Sequence, residues 1–105
     1  MNQNAAQFFI GQIVLHLKFN YRGVIFDIDP EFAGSEEWYK AMQRSHPPKD
    51  RPWYHVLVDK AGRTTYVAER HLALDASGLP ISHPLADKLF SGIRNGVYIG
   101  NTPYN

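Results

Sequence analysis

YRGVIFDIDP, residues 21–30, is the stretch from which the fold is read. At period two it places Val24, Phe26 and Ile28 on one face and Ile25, Asp27 and Asp29 on the other, the alternation of a strand whose one side meets a core. Gly23 permits a bulge or a positive φ at the entrance, and Pro30, lacking an N–H, cannot continue a ladder at the exit. The strand is therefore bounded at both ends. Two carboxylates one strand period apart mark its polar face, as expected of a strand with one solvated side.

Working outward, residues 8–17 read as a preceding strand with Ile10, Val14 and His16 on one side and Phe9, Ile13, Leu15 and Leu17 on the other. Both sides are apolar. A small open sheet leaves one face wet, so this strand is either covered twice within the fold or meets another chain. The second is the expectation, with Ile13 and Leu15 at a subunit interface. Asn20 and Gly23 in the short link between the strands predict an antiparallel hairpin. Downstream, Ser35 reads as an N-cap, Glu36 and Glu37 suit the positive end of a helix, and Trp38, Tyr39 and Met42 form its apolar stripe. His46-Pro47-Pro48 stops this insert.

The run WYHVLVD, residues 53–59, returns to period two, with Tyr54, Val56 and Val58 alternating with Trp53, His55 and Leu57. A turn at 59–62 leads into a strand over 64–67, and 68–72 reads as one helical or 3₁₀ turn that tucks Leu72 underneath. Short strands joined by tight turns predict a mainly β protein, a small and strongly bent SH3-like β-barrel spanning about residues 8–74. Beyond a linker at 75–81, Leu85, Leu89 and Ile93 at spacing four predict a C-terminal helix from His83-Pro84 to Arg94, capped by Asn95-Gly96. The tail, apolar at Val97, Tyr98 and Ile99, is expected to lie on the body, and the 105 residues form one domain.

Composition narrows the function. Eleven Lys and Arg against ten Asp and Glu leave a net charge of +1, whereas proteins that hold DNA by counterion release show a basic excess or stripe. The nearest cluster, Lys40, Arg44, Lys49 and Arg51, has Glu36, Glu37 and Asp50 interspersed. The absence of cysteine excludes a thiolate nucleophile and a Cys-based zinc site. Neither an apolar run of spanning length nor a basic secretory start is present, so a cytoplasmic protein without a membrane partner is expected. His16, His46, His55, His71 and His83 form no HxH or HxxxH pair, which argues against a metal or cofactor, although strand pairing could bring His16 and His55 together. The serines lie in no nucleophile elbow, and Asp27 and Asp29 on a solvated face would not split their pKa values. The chain reads as a non-enzyme. Its aromatics, Tyr21, Trp38, Tyr39, Trp53 and Tyr54, gather around the insert, where they either bind a peptide or a base or, as Trp38 and Trp53, staple the insert to the barrel.

IGQ-x-V-x-H at 10–16, YRGVIFDIDP at 21–30, PWYHVLVD at 52–59 and TYVAE-x-x-L at 65–72 occur in the order found in the heat-shock HspQ or YccV-like (hemimethylated DNA-binding) family, which the first seventy or so residues resemble. The resemblance implies a cytoplasmic stress-response protein that works by binding. Two roles follow from it. The leading expectation is an adaptor or specificity modulator of a Lon-type ATP-dependent protease and its substrates; the rival is recognition of hemimethylated DNA that restrains expression of the replication initiator. Homo-oligomers, with trimers the expected state, are also implied. Carried over by position, Asp27, Asp29, Trp53, His55 and Glu69 are the candidate binding residues, with Trp53 and His55 expected at a surface and Tyr54 in the core.

Overall fold

The strand read from residues 21–30 lies at the centre of a five-stranded antiparallel sheet in the computed structural model, which describes residues 5–42 and 44–100. It is β2 (Arg22–Asp29), flanked by β1 (Ile13–His16) and β3 (Trp53–Val58), with β4 (Thr64–Ala68) and β5 (Leu72–Leu74) at the edges. The order is β4-β3-β2-β1-β5. A 3₁₀ turn, Glu69–His71, carries the chain from one edge to the other, so the bent sheet is bridged by backbone rather than closed by a ladder.

One irregularity changes the reading of β2. Ile25 pairs with Val56 and Asp27 with His55, which leaves Phe26 as the extra residue of a β-bulge. The bulge shifts the alternation by one residue. Ile25 and Ile28 share the first core with Val14, Tyr54, Val56, Val67 and Leu72, while Val24 and Phe26 belong to a second core on the opposite face. Asp27 and Asp29 therefore lie on the face of Val24, not on that of Ile25 as strict period two predicts.

The first strand is shorter than its apolar run because Gly11, at φ 98°, breaks it. Val14 and Ile13, on its two faces, are both covered from within the chain. Val14 enters the first core, and Ile13, only 4% exposed, packs with Val24, Leu57, Ile81 and Phe90 in the second. The face expected to meet another chain at Ile13 is thus occupied by the chain's own C-terminal segment; Leu15 is half-buried.

That segment departs from the predicted helix. Only α2 (Ala86–Leu89) is helical, and β6 (Phe90–Arg94) and β7 (Val97–Gly100) follow as a hairpin. Asn95 at φ 53° and Gly96 at φ 78° form the two-residue turn that matches strand twist, rather than a helix cap. Ser91 and Gly92 are poor helix formers at the point where the pattern would have to continue. The hairpin docks through Gly11: its N–H donates to the Ile25 carbonyl at 2.9 Å, and its carbonyl accepts from Tyr98 N–H at 2.8 Å. The apolar tail thus lies on the body as far as Gly100, and residues 101–105 fall outside the described chain.

The insert forms α1 (Glu36–Met42), where the Ser35 hydroxyl accepts the Trp38 N–H at 3.1 Å as an N-cap. Its buried Tyr39 donates to the Pro47 carbonyl at 2.7 Å, and the Trp53 indole donates to the Pro48 carbonyl at 3.1 Å. Tyr39, Trp53 and Ala68, with Phe32, Trp38 and Tyr66 around them, hold the insert against β3 and β4. Trp53 is fully buried and acts as the staple.

An aromatic cleft with a cationic rim

The pairing of β2, β3 and β4 brings Asp29, His55 and Tyr66 together. Tyr66 stands opposite His55 on the adjacent strand, with ring centroids 4.5 Å apart. Both reach Asp29: the Tyr66 hydroxyl donates to Oδ2 at 2.6 Å, and His55 Nε2 lies 3.1 Å from the same oxygen. Burial pushes the Asp29 carboxyl up, but the hydrogen bonds from Tyr66 and His55 and the charge of His55 outweigh it, and its pKa falls below the usual value. Burial first, then the bond to Asp29, pushes the Tyr66 phenol up beyond the ordinary tyrosine range. Tyr66 also accepts the Ala33 N–H at 3.0 Å, so its ring is fixed from two sides.

His55 and Tyr66 form part of the wall of a cleft of about 550 Å³ on the open side of β4. The turn between β1 and β2 contributes Phe19 and Tyr21, and α1 contributes Trp38 and Met42. Tyr21 is held by a 2.7 Å hydrogen bond to Thr65. His16 is packed against Phe19 and Tyr21, each ring centroid 4.9 Å away, and its Nδ1 accepts the N–H groups of Lys18 and Phe19. Arg63 stands at the rim, and a small adjoining cavity adds Lys18 and Arg44. No carboxylate lines either space among the described residues.

On the His16 side of the cleft the field is positive, whereas Asp29 faces the Tyr66 side. Burial lowers His16 to about 4, helped by the charges of His71 and Lys18. Burial likewise lowers His71, with Arg70 and Lys18 adding to the effect. The near-neutral total charge conceals this asymmetry, and two other cations are paired locally. Arg22 is paired with Asp59 at 3.0 Å and Asp75 at 3.3 Å, and Lys49 is paired with Glu36.

The family model described as "Hemimethylated DNA-binding protein YccV like" matches residues 6–97. The chain belongs to the YccV-like family. The match takes in the whole five-stranded sheet, both helices and β6, well beyond the motif-bearing first seventy residues. Of the residues singled out in this YccV-like chain by sequence, Asp29 and His55 meet beside the cleft, whereas Asp27 is exposed and its carboxylate accepts its neighbour's Ile28 N–H at 2.9 Å. Trp53, expected at a surface, has none to offer a partner.

Glu69 lies apart from Asp29 and His55, bordering a separate cavity of about 440 Å³ with Arg51 and Arg70. There it accepts the Tyr54 hydroxyl at 2.6 Å and the Gln7 N–H at 3.0 Å, which ties the N-terminal segment to the first core. Strand pairing does not join His16 to His55, since β2 intervenes; the ring near His16 is His71, 5.7 Å away. Sequence reasoning missed Phe19, Tyr66 and the cations at 18 and 63. Period two over 64–67 does place Tyr66 on the side of its strand opposite Val67, but nothing local links it to Asp29. Among the described residues no helix is long and apolar enough to cross a membrane, and no three His, Cys, Asp or Glu side chains converge as a metal site.

Proposed function

We propose that this protein binds DNA through the aromatic cleft and its rim, with hemimethylated duplex the ligand that the family description names. The observation that supports this most directly is the gathering of Lys18, Arg44 and Arg63 around aromatic walls with no lining carboxylate among the described residues. Cations of this kind neutralise phosphates, and aromatic faces take bases. Three phosphate contacts correspond to a salt slope of about −3, a modest electrostatic term that leaves room for discrimination by the cleft. Titration of methylated, hemimethylated and unmodified duplexes at several salt concentrations tests the proposal. The hemimethylated duplex should bind tightest at moderate salt, and Lys18→Ala or Arg63→Ala should each reduce the slope by about 1. Equal affinity for all three duplexes would count against it.

A second reading, an adaptor for a Lon-type protease, is favoured by a different feature. β4 is an edge strand, and its residues Thr64, Thr65, Tyr66 and Val67 border the cleft. An extended peptide adds to such an edge through backbone hydrogen bonds while neighbouring pockets take its side chains. Degradation of a substrate panel by the protease, with and without the protein, checks this reading. Unchanged rates across the panel would remove it.

A further inference from the structure

We infer that the cleft receives a single unstacked nucleobase, drawn out of the duplex, between the β1–β2 turn and α1. This deepens the DNA-binding reading and rests on it. A base inside a duplex has both faces covered by its neighbours, and only its edges reach a protein. The surfaces here are of another kind. Tyr21 on the turn, Trp38 on the helix, and His55 and Tyr66 on the sheet wall a concave space of about 550 Å³, with the exposed Phe19 at its border. Aromatic faces lining a concavity stack only on a base that has left its own stack.

The walls are also pre-organised. Tyr66 is fixed by Asp29 and Ala33, Tyr21 by Thr65, and His16 by two backbone N–H groups, so little side-chain entropy remains to be lost on binding. Phe19 is the exception. It is 68% exposed at the tip of the turn, beside Asn20 at φ 58°, in the position of a wedge that fills the gap an extruded base leaves. Lys18, Arg44 and Arg63 at the rim are placed for the phosphates on either side of it. Charge complementarity selects this occupant: an uncharged apolar side chain would satisfy the rings but would neutralise none of the three cations.

The test compares hemimethylated duplexes that differ only in the base opposite the methylated one: the correct partner, a mismatch or an abasic site. Charge and methylation are then constant and only the difficulty of unpairing changes. The inference expects binding tighter by about tenfold to the mismatched and abasic duplexes. It also expects Phe19→Ala, a change at an exposed position that leaves the cores intact, to lose most affinity for the paired duplex and little for the abasic one. Equal affinity for all three duplexes with the wild-type protein would overturn the inference while leaving DNA binding intact. No binding to any duplex would overturn both.

Discussion

Gly11→Ala probes the docking of the C-terminal hairpin, on which the second core depends. Two costs are separable. Gly11 sits at φ 98°, where an L side chain is strained, and a Cβ there would lie 2.1 Å from the Tyr98 carbonyl oxygen. Gly62, at φ 67° with nothing within 4 Å of its would-be Cβ, isolates the first cost. Gly62→Ala should therefore lose only the left-handed penalty, about 1–2 kcal/mol. At Gly11 the obstacle is backbone and cannot rotate aside, so β7 must move away. The Tyr98 N–H bond to Gly11 is then lost, together with part of the burial of Ile81 and Phe90 against Ile13, Val24 and Leu57. With roughly 1.5–3 kcal/mol for each fully buried apolar side chain and partial loss of two, the expected destabilisation is about 3–5 kcal/mol. Urea unfolding measures the totals, and native-state hydrogen exchange should show the amides of β6 and β7 losing protection before those of β2 and β3. If the two substitutions destabilise equally, the hairpin does not rest on Gly11 and the account of the second core fails.

Other perturbations follow from the same contacts. Tyr66→Phe keeps the ring but removes the hydroxyl between Asp29 and Ala33; about 1–2 kcal/mol of stability should go, and the Asp29 pKa should rise toward its usual value, measurable by thermal melting and carboxyl NMR titration. An unchanged melting temperature would mean the hydroxyl is dispensable. Because His16 titrates at about 4 when folded and near 6.5 when not, the unfolded chain binds the extra proton between those values. Stability should then rise with pH across that window and fall on acidification, by at most about 3 kcal/mol, with His71 acting in the same direction. A flat stability profile there, or one whose slope His16→Gln does not reduce, would contradict the buried neutral imidazole.

The β class was legible because period two, proline exits and glycine turns all point to short strands, and the insert's helix was legible from the Ser35 cap, the acidic Glu36 and Glu37 and the apolar stripe that follows. The C-terminal hairpin was misread because Leu85, Leu89 and Ile93 satisfy a helical template that depends only on spacing. What decided the matter is long-range: the face carrying Ile13, Val24 and Leu57 needs a cover, and a hairpin supplies Phe90 and Tyr98 to it. The doubly apolar first strand was the visible sign of that need. The cationic rim was illegible for a related reason, since net charge sums over a chain in which Arg22 and Lys49 are neutralised by their own neighbours. Of the other cations, Arg63 at the cleft and Lys18 and Arg44 in the adjoining cavity are brought together only by the fold.

The bulge at Phe26 ties these threads together, and physical chemistry requires it. In an unbroken strand, Asp27 and Asp29 would share the face of Ile25 and enter the first core beside Tyr54 and Val56. Burying two carboxylates there without partners costs far more than one disrupted ladder position. The extra residue at Phe26 turns both outward, returns Ile28 to the core, and sets Asp29 within reach of His55 and Tyr66. The sequence Ile25-Phe26-Asp27-Ile28-Asp29 therefore contains an energetic conflict whose resolution positions one wall of the cleft. Since a one-residue slip moves every later side chain to the other face, the geometry of the site depends on where that conflict is relieved.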